Sequence, residues 1–131
     1  MKHSKKILFI DSDDFQTNMR GQLLGDAGHE VVVVNSFEEV EILYQKNKFD
    51  LVIIDFARDF GAESLIYIDK IDHMQKMITI SEHEEYSEEK GCDYCASHHQ
   101  RRRLKPPFPF AELLHLVESF EMTMCTHRER K

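Results

Sequence analysis

The chain has 131 residues, with 17 basic against 24 acidic side chains and a formal net charge of −7. This length suits one domain, and a hydrophobic share of 41% is enough to bury one core, which excludes a disordered chain. The negative charge disfavours direct binding to nucleic acid or to a membrane surface, because their phosphates would be repelled.

The beginning of the chain and the cysteines predict a cytoplasmic protein. Lys5 and Lys6 are followed by only four apolar residues before Asp11, too few for a signal peptide. No apolar run approaches the roughly 20 residues that span a bilayer. The three cysteines are an odd number, which favours reduced thiols over a disulfide framework.

Four short and almost wholly apolar runs predict β-strands. They are Ile7–Ile10, Val31–Val34, Leu51–Ile54 and Met77–Ile80. None of them alternates apolar with polar residues, so we expect a parallel sheet covered on both faces. Arg101–Leu104 is a weaker fifth strand, whose arginines suit an exposed edge of the sheet.

The segments between these strands have helical patterns. In chain order the predicted helices are Phe15–Ala27, one starting at a Ser36/Glu39 capping box, Glu63–His73, Ser87–His98, and one after Pro109. Gly28 is the expected stop of the first helix. Strand and helix thus alternate five times. This order predicts an α/β fold: a flavodoxin-like, doubly wound (βα)5 domain with a five-stranded parallel sheet in the order 2-1-3-4-5.

Four polar residues directly follow predicted strands: Asp11, Asp55, Ser81 and Lys105. The carboxyl ends of parallel strands share one end of the sheet, so these side chains are expected to converge there. Two nearby carboxylates suit a hard cation such as Mg²⁺, and a carboxylate beside that ion can accept a phosphoryl group. A hydroxyl and an ammonium can bind the oxygens of the transferred group. Taken alone, each residue is more ordinarily a loop or helix-cap residue.

Four segments carry a family resemblance: ILFIDSDD at 7–14, DLVIID at 50–55, ITIS at 78–81 and LKPPF at 104–108. With them the chain resembles the receiver domain of bacterial two-component response regulators, of the single-domain chemotaxis (CheY-like) type. The resemblance implies a receiver domain over residues 1–125, followed by a basic tail at 126–131. It also implies a phosphoacceptor signalling domain rather than an enzyme.

The resemblance implies a metal site around the phosphoacceptor. Asp55 matches the phosphorylated aspartate, and Asp11 matches the first of two acids that hold Mg²⁺ together with Asp55. Ala57 matches the residue whose backbone carbonyl completes the protein ligands. Ser12 stands where the family usually has its second acid, so Mg²⁺ affinity should fall unless Asp13 or a water compensates.

The resemblance also implies a phosphoryl-binding group. Ser81 matches the hydroxyl residue that contacts the phosphoryl group and moves on activation, and Lys105 matches the lysine that pairs with a phosphoryl oxygen. Pro106 matches the next proline, often preceded by a cis bond. Glu82 departs from the usual small residue and is able to repel phosphate, and Arg102 replaces the aromatic switch residue.

The partners implied by the family are a histidine kinase or a phosphotransfer protein, and a downstream protein target. That target would read a change in the face built by the fourth strand, fourth helix, fifth strand and fifth helix. The last three of these elements can also support a homodimer. The departures leave an alternative open: a pseudo-receiver that binds proteins without being phosphorylated.

A further alternative concerns a cluster of cysteine and histidine residues. Cys92 and Cys95 are followed by His98 and His99, and such residues can bind Zn²⁺ or form a redox pair. A second pair at suitable spacing is missing, and cysteines are commonly just small buried side chains. This alternative is therefore the weakest of the three.

Overall fold

The computed structural model describes residues 4–11, 14–56, 60–82 and 101–120. The strands are β1 (Lys6–Ile10), β2 (Glu30–Val34), β3 (Leu51–Asp55), β4 (Met77–Ile80) and β5 (Arg101–Leu104). The helices are α1 (Asp14–Asp26), α2 (Phe37–Leu43), α3 (Phe60–Ile71) and α4 (Phe110–Ser119). Within these ranges, no helix is long and apolar enough to cross a membrane.

All five predicted strands form one parallel sheet in the order β2-β1-β3-β4-β5. This confirms the order expected from the alternation of strands and helices. The helix predicted at Ser87–His98 lies outside the described residues, and the third helix begins at Phe60, three residues earlier than expected.

Two hydrophobic clusters cover the two faces of the sheet. The first consists of Ile7, Phe9, Leu24, Leu51, Ile53, Ile78, Ile80, Leu104, Leu113, Val117 and Phe120. The second consists of Leu8, Ile10, Val34, Val40, Tyr44, Phe49, Val52, Ile54, Ile68 and Met77. Alternate residues of β1 and β3 thus enter opposite clusters, one with α1 and α4 and the other with α2 and α3. Both faces are buried, which is why the strands have no polar alternation.

Short-range signals set the helix ends as predicted. The Ser36 hydroxyl accepts from the Glu39 amide at 3.2 Å and caps α2, while the Glu39 carboxylate accepts from the Asn35 amide at 2.9 Å. After α1, Gly28 has a φ of 104°, a conformation that glycine adopts at little cost. The amide of His29 then donates to the Leu24 carbonyl, which closes the helix end.

The arginines of β5 correct one expectation. β5 does lie at the edge of the sheet, but Arg101 is only 4% exposed. Its Nη1 donates to the Asp69 carboxylate at 2.6 Å and its Nε donates to the Gln75 carbonyl at 3.3 Å. The end of α3 and the turn after it cover this arginine, so the prediction of an exposed arginine edge is wrong for Arg101.

Candidate functional site at the carboxyl end of the sheet

The sheet brings the two predicted carboxylates side by side. Ile10 of β1 pairs with Ile54 of β3, so Asp11 and Asp55 are the next residues along two adjacent strands. Adjacent strands lie about 4.8 Å apart, a separation at which two carboxylates can share one cation. Asp11 is 1% exposed and the Asp55 side chain is 11% exposed. Both carboxylates therefore lie in a largely desolvated place.

The hydroxyl and the ammonium follow along the same end of the sheet. Asp55 pairs with Ile80, which directly precedes Ser81, and Ile80 pairs with Leu104, which directly precedes Lys105. Ser81 is buried, whereas Lys105 is exposed. The structure thus places Asp11, Asp55, Ser81 and Lys105 at the end that we call the carboxyl end of the sheet.

Backbone hydrogen bonds continue past the strands at this end of the sheet. They join the amide of Asp11 to the carbonyl of Val34, that of Phe56 to Ile80, and that of Ser81 to Leu104, at 2.9 to 3.2 Å. Gly61 lets α3 start close to β3, because a Cβ at that position would lie 3.1 Å from the Asp55 carbonyl oxygen. The backbone that carries Asp55 is therefore held from both sides.

The structure adds Arg20, a residue that the sequence did not single out. Its Nη1 lies 3.4 Å from Oδ2 of Asp55, and the Arg20 side chain is 22% exposed. The guanidinium carbon lies 5.0 Å from the centre of the Phe108 ring. Side chains of a helix lean towards its first residue, and α1 starts at the carboxyl end of the sheet. The position of Arg20 in the second turn of α1 was therefore the sequence signal for this contact, because a long side chain there can reach back to β3.

Two further arginines lie on β5 beside the site. Nε of Arg103 donates to the backbone carbonyl of Ser81 at 3.1 Å, so it braces the start of the loop after β4. Arg102, at the position expected for an aromatic switch residue, turns to α4: it donates to Ser119 Oγ at 2.9 Å and lies 4.7 Å from the Phe120 ring centre. Glu82 is exposed.

Asp11 and Asp55 fit Mg²⁺ in the chemistry of their oxygen donors and in their placement. Over the described ranges, no group of three or more His, Cys, Asp or Glu residues could hold a metal ion. The remaining predicted ligands, Ser12, Asp13 and Ala57, lie outside those ranges. Of the predicted cation ligands, the structure therefore describes Asp11 and Asp55.

Five other predictions concern proline and the cysteine cluster. The cis bond expected before Pro106 lies one residue later, between Pro106 and Pro107. Both are bonds to proline, where the cis form costs little, so the sequence alone could not choose between them.

Cys92, Cys95, His98 and His99 lie outside the described residues, so their Zn²⁺ or redox role stays a prediction.

Comparison with known proteins gives similarity in structure only. No protein-family model and no curated protein matches the chain. Among solved structures, the non-phosphorylated receiver domain of HemR from Leptospira biflexa has a TM-score of 0.71 at 20% identity, covering 93% of this chain and 98% of its own. This chain has the receiver fold.

Two more solved structures are similar in fold over most of this chain. The response regulator TrrA from Thermotoga maritima, in complex with Mg²⁺ and BeF, has a TM-score of 0.68 at 23% identity, covering 92% of this chain and 99% of its own. NtrX from Brucella abortus has a TM-score of 0.68 at 19% identity over 92% of this chain. The match spans only 27% of NtrX, so the similarity concerns one part of that longer protein.

Proposed function

We propose that this receiver-fold protein is a response regulator receiver that accepts a phosphoryl group on Asp55 from a histidine kinase or a phosphotransfer protein. The observation that carries the proposal is that two carboxylates, a hydroxyl and an ammonium belong to residues placed where four strands end, at the same end of one parallel sheet. These four groups come from the ends of four different strands, and a purely structural role explains each of them singly but not their occurrence together.

In the proposed reaction, a carboxylate oxygen of Asp55 forms a bond to phosphorus. The bond from phosphorus to the donor's imidazole nitrogen breaks, and the imidazole leaves with that electron pair. Mg²⁺ held by Asp11 and Asp55 would supply positive charge that offsets the negative charge of the carboxylate and of the phosphoryl group. The Lys105 ammonium and the Ser81 hydroxyl bind the oxygens of the transferred group. Asp11 holds the cation with Asp55.

The output in this proposal is a change in the face that contains β4, β5 and α4, read by a downstream protein or a second copy. Arg103 contributes to the coupling, since it joins β5 directly to the Ser81 carbonyl. A movement of Ser81 towards a phosphoryl group would therefore displace Arg103 and β5 through this hydrogen bond. We propose a cytoplasmic setting, in keeping with a kinase as the phosphoryl donor.

The test is the intact mass of the protein after incubation with a small phosphodonor such as acetyl phosphate, with and without Mg²⁺. The wild type should gain one phosphoryl group only with Mg²⁺, and Asp55→Asn should gain none. Asp26→Asn, which makes the same change at an exposed position at the end of α1, should behave as the wild type. Beryllofluoride binding followed by NMR at Asp55 covers donors that react too slowly. The proposal fails if neither phosphoryl nor beryllofluoride binds there.

One observation favours a second candidate, a pseudo-receiver that binds proteins without phosphorylation. The Arg20 guanidinium already lies against the carboxylate of Asp55, which suits a static ion pair. In that case the mass experiment gives no adduct in any variant, and Asp55→Asn lowers the stability of the fold instead.

A further inference from the structure

The contact between Arg20 and Asp55 joins a helix to the candidate phosphoacceptor. Nη1 of Arg20 lies 3.4 Å from Oδ2 of Asp55, and the two side chains are 22% and 11% exposed. Charges in such a partly desolvated place attract more strongly than an ion pair at the surface. The guanidinium therefore offsets part of the negative charge of this carboxylate.

Phe108 holds the guanidinium at that place. Its ring centre lies 5.0 Å from the guanidinium carbon, within the range of a cation–π contact. Phe108 packs against the hydrophobic cluster on the face of the sheet covered by α1 and α4. Because the ring is anchored in this way, Arg20 gives up less conformational freedom when it pairs with Asp55.

Arg20 and a divalent cation need the same carboxylate. Mg²⁺ prefers oxygen ligands in a near-octahedral arrangement, and Asp55 lies beside Asp11 at the carboxyl end of the sheet. A positive group against Oδ2 both occupies that oxygen and repels a second cation. Ser12 adds no negative charge where the resembling family has an acid, so this position does not offset the repulsion.

We propose that Arg20 is a built-in counter-charge of Asp55 that competes with Mg²⁺ for the carboxylate and sets the cation affinity of the site. This proposal rests on the proposed function, because it takes Asp55 as a Mg²⁺ ligand. Arg20 acts as a positioning residue: it turns away from Oδ2 when the cation binds, and it returns when the cation leaves.

The experiment is a Mg²⁺ titration of the whole chain, followed by the NMR shifts of the backbone amides of Asp55 and Phe56. Arg20→Gln should bind Mg²⁺ at least about tenfold more tightly than the wild type, since a unit charge about 6 Å from a divalent cation costs that factor even in a water-like dielectric. Arg20→Lys keeps the charge without the planar guanidinium and should lie between the two.

Lys48→Gln is the matched control. It also removes one positive charge beside an aromatic ring, because Lys48 Nζ lies 5.5 Å from the ring centre of Phe49. Both residues precede Leu51, the first residue of β3, whereas Asp55 is its last. Its Mg²⁺ affinity should stay within about twofold of the wild type, as expected for a distant and screened charge. Phe108→Leu removes the ring face and should raise the affinity in the same direction as Arg20→Gln, by a smaller factor.

The outcomes separate this proposal from the proposed function. If the wild type and Arg20→Gln bind Mg²⁺ equally well, the role of Arg20 is overturned and the phosphoacceptor function stands. If Arg20→Gln binds Mg²⁺ and the wild type binds it only weakly, both proposals are supported. If neither protein binds Mg²⁺ or beryllofluoride, Arg20 is not what limits cation binding, and both proposals are wrong.

Discussion

Nζ of Lys5 donates a 2.6 Å hydrogen bond to the backbone carbonyl of Val117, which ties the residue before β1 to the last turn of α4. Lys5 is only 3% exposed. The last four carbonyls of a helix have no partner within the helix, and a cation is favoured at that end. One lysine therefore joins the first strand to the last described helix at the end of the sheet opposite to Asp55.

We expect Lys5→Ala to lower the free energy of unfolding by about 2–3 kcal/mol, because a charge-assisted hydrogen bond and the packing of the buried stem are both lost. Urea unfolding should show this as a lower midpoint. Lys46→Ala, at an exposed position after α2, should change the stability by less than about 0.5 kcal/mol. Equal midpoints for the two variants would show that the Lys5 contact contributes nothing.

Arg101 provides the second prediction, also on stability. Its guanidinium donates to the Asp69 carboxylate and to the carbonyls of Gln75 and Asp72, at 2.6, 3.3 and 3.4 Å. A lysine carries the same charge but cannot reproduce this fork of donors, so Arg101→Lys should cost about 1–3 kcal/mol in urea unfolding. The same substitution at Arg103, which within the described residues donates to the Ser81 carbonyl, should cost no more than about 1 kcal/mol. The reverse order of the two costs would contradict this account.

Much of the fold could be predicted from the sequence because its signals are local. Apolar runs without alternation, such as Ile7–Ile10, require a sheet that is covered on both faces, and the structure confirms this. The cap at Ser36 and the turn at Gly28 depend on residues within a few positions. The burial of Arg101 could not be predicted in this way, because it depends on Asp69, which lies 32 residues earlier.

The same distinction between local signals and contacts distant in sequence applies to the candidate site. The placement of Asp55 and Lys105 at the same end of the sheet could be predicted, since each lies where a strand ends and parallel strands end together. The approach of Arg20 could be predicted only in direction, because the lean of helix side chains points it towards β3 without fixing a contact. Its contact with Asp55 depends on how far a long side chain leans back along the helix and on where the Phe108 ring lies.

Tyr44 gives a prediction about alkaline pH. Its hydroxyl donates to Gln75 Oε1 at 2.7 Å, and burial, together with the Asp72 carboxylate, raises the pKa of Tyr44 to about 12, although Arg101 acts in the lowering direction. Below the ordinary pKa of 10.0 the phenol is neutral in both the folded and the unfolded chain, so its contribution to stability is fully present there. Between pH 10 and pH 12 only the unfolded chain ionises, and about 2–3 kcal/mol of stability should be lost.

Urea midpoints measured across this pH range test the prediction for Tyr44. Tyr44→Phe should be less stable than the wild type at neutral pH by about 1–2 kcal/mol, since Gln75 loses a buried hydrogen bond. The difference between the two proteins should shrink as the pH rises above 10 and vanish or reverse by pH 12, because only the wild type has this phenol to ionise. A difference that stays constant up to pH 12 would mean that the pKa of Tyr44 is not raised.

Lys105 gives the last prediction, and it separates binding of the phosphoryl group from binding of the cation. Lys105 is exposed and directly follows β5, so its ammonium can swing over Asp55 without a change in the core. Lys105→Gln should weaken beryllofluoride binding about tenfold, the value of one charge-assisted hydrogen bond. Mg²⁺ binding should stay the same or tighten slightly, because a positive charge near the site is removed. Lys70→Gln, at an exposed position in the last turn of α3, is the control with the same loss of charge. If Lys105→Gln and Lys70→Gln bind beryllofluoride equally, Lys105 does not hold the phosphoryl group, and the positive charge must come from another residue, with Arg20 the nearest one described.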